Sequence, residues 1–268
     1  MAGNLKGAWE KWERAREHYE ALAEEIARLI PRDSRYNPVY AYSVPVQAEH
    51  VGREYRFYAD AGPPLDGTRC ALILGDALFN LRSALDHIVF QLHLRRYKGR
   101  IPSDVERVSA FPILGKRRKT PTSHWREIQC LSFKQRRAIE FLQPYYTRHD
   151  HLVEVRRALA ELNTLNNIDK HRHLHVIRAG VVMVSVPDFR GYGRHESFMR
   201  SLEGKTEVFR WTFTSIPPDI AQQVQRYNHV VAQVRLDEPG FEALPLPFLE
   251  AYINRIEILI GRFETFFR

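Results

Sequence analysis

Only two of the 268 residues are cysteines, Cys70 and Cys130, and they stand 60 positions apart. That spacing excludes a C-x-x-C redox pair and argues against a zinc knuckle, and so few thiols suit a reducing compartment. No run reaches the roughly 18 uncharged apolar residues that a membrane span needs. The opening M-A-G-N-L-K-G-A-W-E-K-W lacks the apolar stretch of a secretory signal. A cytoplasmic chain with no membrane partner is therefore expected. Also missing are a phosphate-cradling glycine loop, a Walker motif, a G-x-S-x-G elbow and a Rossmann fingerprint, which argues against nucleotide-triphosphate hydrolysis and hydrolase-fold catalysis. No cofactor is expected. No internal repeat or low-complexity tract interrupts the chain.

Lysine is scarce as well, with 8 against 32 arginines. The net charge of +8 attracts polyanions, and the forked guanidinium suits phosphate, so RNA or another polyanion is the expected partner. A GC-rich genome produces the same arginine bias without any such partner. Hydrophobic residues at 44% and charged residues at 27% are ordinary for a globular chain with a real core.

Apolar periodicity predicts helices over residues 4–31, 66–96, 133–143, 150–172 and 248–267. Asp66 and Asp150 open two of them, and Pro31 and Pro144 close two others. Strands are predicted at 37–49, 53–61, 174–186, 206–214 and 228–236, with Gly52 at a hairpin turn. Pro38 and Pro45 demote the first strand to a sheet edge. The fold class expected is α+β, a long-helix bundle with a small antiparallel sheet packed beside it. The whole of 1–268 reads as a single domain: 1–172 mainly helical with a hairpin at 37–61, 173–236 antiparallel strands, and 246–268 a C-terminal helix. The connector at 99–124 carries a basic run, Lys116, Arg117, Arg118 and Lys119, a solvated loop that could touch phosphate.

Two polar clusters interrupt apolar helical segments. The first is N-L-R-S-A-L-D-H, Asn80 to His87, and the second is N-N-I-D-K-H-R, Asn166 to Arg172. At 100° per residue, Leu74, Leu78, Leu81, Leu85, Ile88 and Leu92 share one face, and Leu72, Phe79 and Phe90 form a second. Asp76, Asn80, Ser83 and His87 fall on a polar stripe between them. Arg82 and Asp86, four apart, lie elsewhere and can pair with each other. On the second helix Asn163, Asn166 and Lys170 continue the core-facing side, with Asp169 and His173 adjoining. Buried groups of this kind need partners. The arrangement expected is a constellation of Asn80, His87, Asn166, Asp169 and Lys170 between two helices, with Arg82, Asp86 and His171 beside it.

At Arg82 to His87 the chain resembles the R-x-x-x-x-H signature of the HEPN superfamily, helical proteins that are commonly metal-independent endoribonucleases of toxin and defence systems. The resemblance implies that Arg82 stabilises the scissile phosphate and His87 is the general acid/base on the 2′-hydroxyl. Separately from it, Arg172 and the basic 116–119 run are the residues expected on the nucleic acid. On one continuous helix the two side chains point about 140° apart. They converge only where the helix breaks or a second copy completes the site, hence a homodimer. The pattern of both clusters is also similar to a family of uncharacterised bacterial proteins, which implies no activity. Two other readings stand beside this one. In one, the clusters form a structural network in a non-enzymatic binding module of a stress or defence system. In the other, Asp86, His87, His151, Asp169, His171 and His173 supply metal ligands, although no H-E-x-x-H or E-x-x-H is present.

Overall fold

The computed structural model describes residues 3–30, 41–62, 65–122, 125–146, 150–171, 175, 177–184, 189, 191–198, 201–226, 229–238, 240–241, 244–245 and 248–268, without the side chains of 171, 182–184, 226 and 245. In order, the elements are α1 (Lys6–Leu29), β1 (Ala41–Val51), β2 (Glu54–Asp60), α2 (Thr68–Arg96), α3 (Ser103–Glu106), α4 (Phe133–Phe141), α5 (Val153–His171), β3 (Ile177–Val184), β4 (Gly193–Ser197), β5 (Lys205–Phe213), α6 (Ile220–Arg226), β6 (His229–Leu236), β7 (Leu244–Pro245) and α7 (Phe248–Glu264). The α+β class expected from the sequence is what is found. The sheet is larger than the expected one, because β4 and β7 carry too little hydrophobic alternation to be read as strands. The described part of no helix is long and apolar enough to cross a membrane.

Contacts divide the chain into two compact units. The first comprises Met1–Ala21, Leu72–Leu174 and Phe248–Arg268, and the second Leu22–Ala71 and His175–Pro247.

The second unit is built on the sheet, whose order is β3-β6-β1-β2-β5-β4, with β7 paired to β6 and every pairing antiparallel. The sheet curls. The Leu202 amide donates to the Ala179 carbonyl at 2.8 Å, and Ser201 bridges Gly180, so chain leading into β5 meets β3. Pro45 does not put β1 at an edge, since β1 has β6 and β2 as neighbours. The proline sits where the partner changes: Ala41 to Pro45 pair with β6, and Val46 to Val51 pair with β2. Each half of β1 is therefore paired on one side only, and the missing N–H interrupts neither ladder. Gly52, at φ +63°, supplies the first position of the two-residue turn into β2, where a positive φ suits hairpin twist.

The first unit is helical. On α2, Leu74, Leu78, Leu81, Leu85, Ile88 and Leu92 are all fully buried, as the 3.6-residue period predicts. The second apolar face is not buried. Leu72 and Phe79 are 52% and 45% exposed, with the ammonium groups of Lys11 and Lys170 at 5.9 and 5.0 Å from the Phe79 ring centre. Helix α1 meets α7 through the Trp12 indole, which donates to the Ile253 carbonyl at 2.9 Å. Helix α5 meets α7 where the Tyr252 hydroxyl donates to Glu161 at 2.6 Å.

Residues 109–114 belong to no helix or strand, so their backbone groups need other partners. Side chains provide them. Arg82 donates to the Phe111 carbonyl at 2.8 Å, and Asp86 accepts from the Phe111 amide at 2.8 Å. Gln143, fully buried just beyond α4, donates to the Pro112 carbonyl at 2.8 Å and accepts from the Leu114 amide at 3.0 Å. His93 Nδ1 is 2.7 Å from the Ser109 hydroxyl. Arg82, Asp86 and His93 lie within about 40° of one another on α2, so one helix face holds this segment. The Phe111 ring is fully buried against Phe263 of α7, with 6.2 Å between ring centres.

Replacing Gln143 by leucine leaves the buried Pro112 carbonyl and the amide of half-buried Leu114 without this partner. The expected loss is about 2 kcal/mol or more, read as a lower urea midpoint. A midpoint equal to wild type would show that the clamp contributes nothing.

Candidate functional site

Helix α2 runs unbroken through both residues of the R-x-x-x-x-H pattern. Arg82 Nη2 is held at 3.0 Å from Asp86 Oδ1 as well as on the Phe111 carbonyl, and its Nη1 is buried without a hydrogen-bond partner among the described residues. Burial pushes the Asp86 carboxyl up and the Arg82 guanidinium down, each against the pull of the other's charge. His87 lies around the helix, facing α1. A Cβ added at Gly7 would stand 2.9 Å from its Nδ1, which has no hydrogen-bond partner among the described residues. Within one chain the two side chains do not converge.

The residues of the expected constellation have separate partners among the described residues. Asn80, 7% exposed, donates to the Asp76 carbonyl at 2.8 Å and accepts from Lys11 at 3.4 Å. Asn166 is 3% exposed, and its side-chain oxygen has no partner among the described residues. Asp169 lies against α2, where a Cβ added at Gly75 would come 2.5 Å from Oδ1. Lys170 sits over Phe79, near enough to Asp86 to act on its charge. No described hydrogen bond or ion pair joins these five residues to one another. The His171 side chain, Arg172 and His173 lie outside the described residues. His151 is 3.2 Å from Arg262, and His175 is 3.5 Å from Glu238. Among the described residues, no group of three His, Cys, Asp or Glu could hold a metal ion.

The basic run behaves differently. Arg117, Arg118 and Lys119 line a pocket of about 560 Å³, together with Trp125, Phe133, Arg136, Arg137, Glu140 and Tyr145. Lys116 is exposed beside it and does not line it. The far wall is α4, started by a capping box in which the Ser132 and Gln135 side chains bond each other's backbone amides. Helical spacing then puts Phe133, Arg136, Arg137 and Glu140 on one face. Asp150 also holds this wall. It accepts from the Leu152 amide and both nitrogens of the buried Arg156 fork, while Arg156 Nε donates to the Phe141 carbonyl at 2.8 Å.

The pocket's charges differ in how they are engaged. Arg118 forms a two-bond pair with Glu127, at 2.9 and 3.2 Å, over the face of Trp125 at 5.2 Å. Arg137 pairs with Glu140 at 2.5 Å, and Arg136 donates to the Gln129 and Leu131 carbonyls. Arg117 and Lys119 are exposed, with no hydrogen bond or ion pair to a described residue. Phe133 is 69% exposed at the rim. Among the described residues the Tyr145 hydroxyl is buried without a hydrogen-bond partner, and so is Trp125 Nε1. Burial first, and Glu140 second, raise the Tyr145 phenol above its ordinary pKa, against the pull of Arg117, Arg137 and Arg118. It is a neutral donor.

Sequence reading found the 116–119 run but not its aromatic and α4 partners. The available signal was S-F-K-Q-R-R, a capping box that opens a helix with an aromatic at its first position and arginines three and four residues on. No family model, curated protein or solved structure matches the chain.

His93 gives a pH test of the clamp beneath this site. Burial lowers its pKa to about 4, so between about pH 6.5 and 4 the unfolded chain binds more protons than the folded one. Stability conferred above that window falls as pH drops through it, by about 3 kcal/mol in all. His93→Gln should flatten the stability profile over this range, and a profile as steep as wild type would overturn the assignment. Gly75→Ala should lower the melting temperature by pushing on Asp169, and Asp169→Ala in the same chain should restore part of the loss.

Proposed function

We propose that this protein binds single-stranded RNA, without metal or cofactor, through the pocket between the 117–122 segment and α4. The observation that carries the reading is five cationic side chains and three aromatic ones around a single opening. Cations neutralise phosphates, and an exposed ring such as Phe133 offers a base a face on which to stack, a combination that recurs in single-strand binding. The net charge of +8 favours encounter with a polyanion in the same direction. The long helices α1, α2, α5 and α7 read as a bundle that supports this wall, an interpretation favoured by the bonds of Trp12 and Tyr252 to neighbouring helices.

RNA binding, rather than RNA cleavage at Arg82 and His87, is the form the geometry favours. Arg82 is engaged with Asp86 and Phe111, and a cleavage site would need both that pair released and a second copy to bring a histidine near.

The test is fluorescence anisotropy with a short labelled single-stranded RNA, with EDTA present. Affinity should fall with salt on a logarithmic slope of roughly −0.7 per neutralised phosphate. Arg117→Ala with Lys119→Ala should make that slope shallower. Phe133→Ala should weaken binding by about 1 to 3 kcal/mol while the melting temperature stays near wild type. Absence of binding at low salt would end the proposal. Cleavage that survives EDTA and disappears in Arg82→Ala and His87→Ala would replace it with the nuclease reading.

A further inference from the structure

Resting on the RNA-binding reading of the same pocket, we propose that its specific ligand is the terminal phosphomonoester of a strand. Three observations point there. The volume of about 560 Å³ falls within the range of single small-ligand pockets, room for about one nucleotide. The cations without a described partner are Arg117 and Lys119. Two uncommitted positive charges match a monoester, which carries about −1.5 to −2 near neutral pH, better than a diester carrying one.

The third observation is a pair of buried donors on residues that line the same pocket. Trp125 is 1% exposed, and its indole N–H has no described partner. The Tyr145 hydroxyl is equally unpartnered, and the charges acting on it are Glu140, Arg117, Arg137 and Arg118. Buried donors are normally satisfied, and two orphans on side chains that line one basic pocket, each able to turn toward the opening, point to an acceptor that the pocket receives. A monoester has three terminal oxygens to offer, enough for both neutral donors and the two cations. Phosphate drawing Arg117 onto itself shifts that flexible side chain, one of those near the phenol. Glu140 disfavours any anion in the pocket, but it is paired with Arg137. Phe133 at the rim is then placed for the first base.

The test compares one RNA sequence made with a 5′-phosphate, with a 3′-phosphate, or with hydroxyls at both ends, at fixed salt with EDTA. One phosphorylated form should bind about tenfold more tightly than the hydroxyl form, and which one does names the end recognised. Inorganic phosphate should compete with that form and not with the hydroxyl form. Tyr145→Phe keeps the ring, so it should fold with a wild-type melting temperature and lose most of the preference, read as the ratio of its affinities for the phosphorylated and hydroxyl-ended RNAs. Equal affinity for all three RNAs overturns the inference and leaves RNA binding standing. A preference that survives both Tyr145→Phe and Arg117→Ala overturns the placement in this pocket. Failure of every RNA to bind removes the RNA-binding reading and the inference with it.

Discussion

The first unit depends on a short stretch of chain that belongs to no helix or strand. Residues 109–114 pass over α2, and their backbone groups are met by Arg82, Asp86 and Gln143, with His93 on the Ser109 hydroxyl. An unpaired buried amide or carbonyl costs about as much as a lost hydrogen bond. These few side chains therefore decide whether the segment can lie there at all. The basic run begins two residues after Leu114. Its direction relative to α4, and with it the pocket, follows from where the clamp releases the chain.

This gives the first polar cluster a physical meaning that differs from its motif likeness. Arg82 and Asp86 do pair, and the pair presents a guanidinium N–H and a carboxylate oxygen to the two backbone groups of a single residue, Phe111. An ion pair that also bonds a backbone amide and carbonyl can offset part of its desolvation cost. His87 takes no part, because five residues along a helix is a turn and a half. Gly75 and Gly7 show the close approaches on the other sides of α2, where Asp169 and His87 occupy the space a Cβ would need. Polar residues crowd this helix because it meets α1, α5 and the 109–114 segment on different faces, each with its own partners.

Charge and shape divide between the two walls of the pocket. Arg117 and Lys119 contribute cations without a partner among the described residues, whereas Arg118 is tied to Glu127 and the α4 side contributes arginines tied to Glu140 and to backbone carbonyls. A tied arginine is an oriented one, and its remaining N–H groups are fixed in direction. Free and oriented cations around buried neutral donors distinguish this opening from a merely basic surface.

The helix boundaries, the buried stripe of α2, the caps at Asp66 and Asp150 and most strands were legible in the sequence, because period, capping and turn chemistry act over a few residues. So was the Arg82–Asp86 pair, which is local to one helix. The partner change of β1 at Pro45 was not legible, since a proline reads the same at a sheet edge and at a switch of partners. Nor were the separate partners of the expected constellation, such as Lys11 on Asn80, because a helical wheel gives directions and not what stands opposite. Local chemistry along the chain is enough to specify the periodic elements and the basic run. That Arg117, Arg118 and Lys119 share a pocket with Trp125, Phe133 and Tyr145 is a matter of long-range packing, because it depends on side chains from α2 and beyond α4 meeting backbone groups about 30 residues away in the chain.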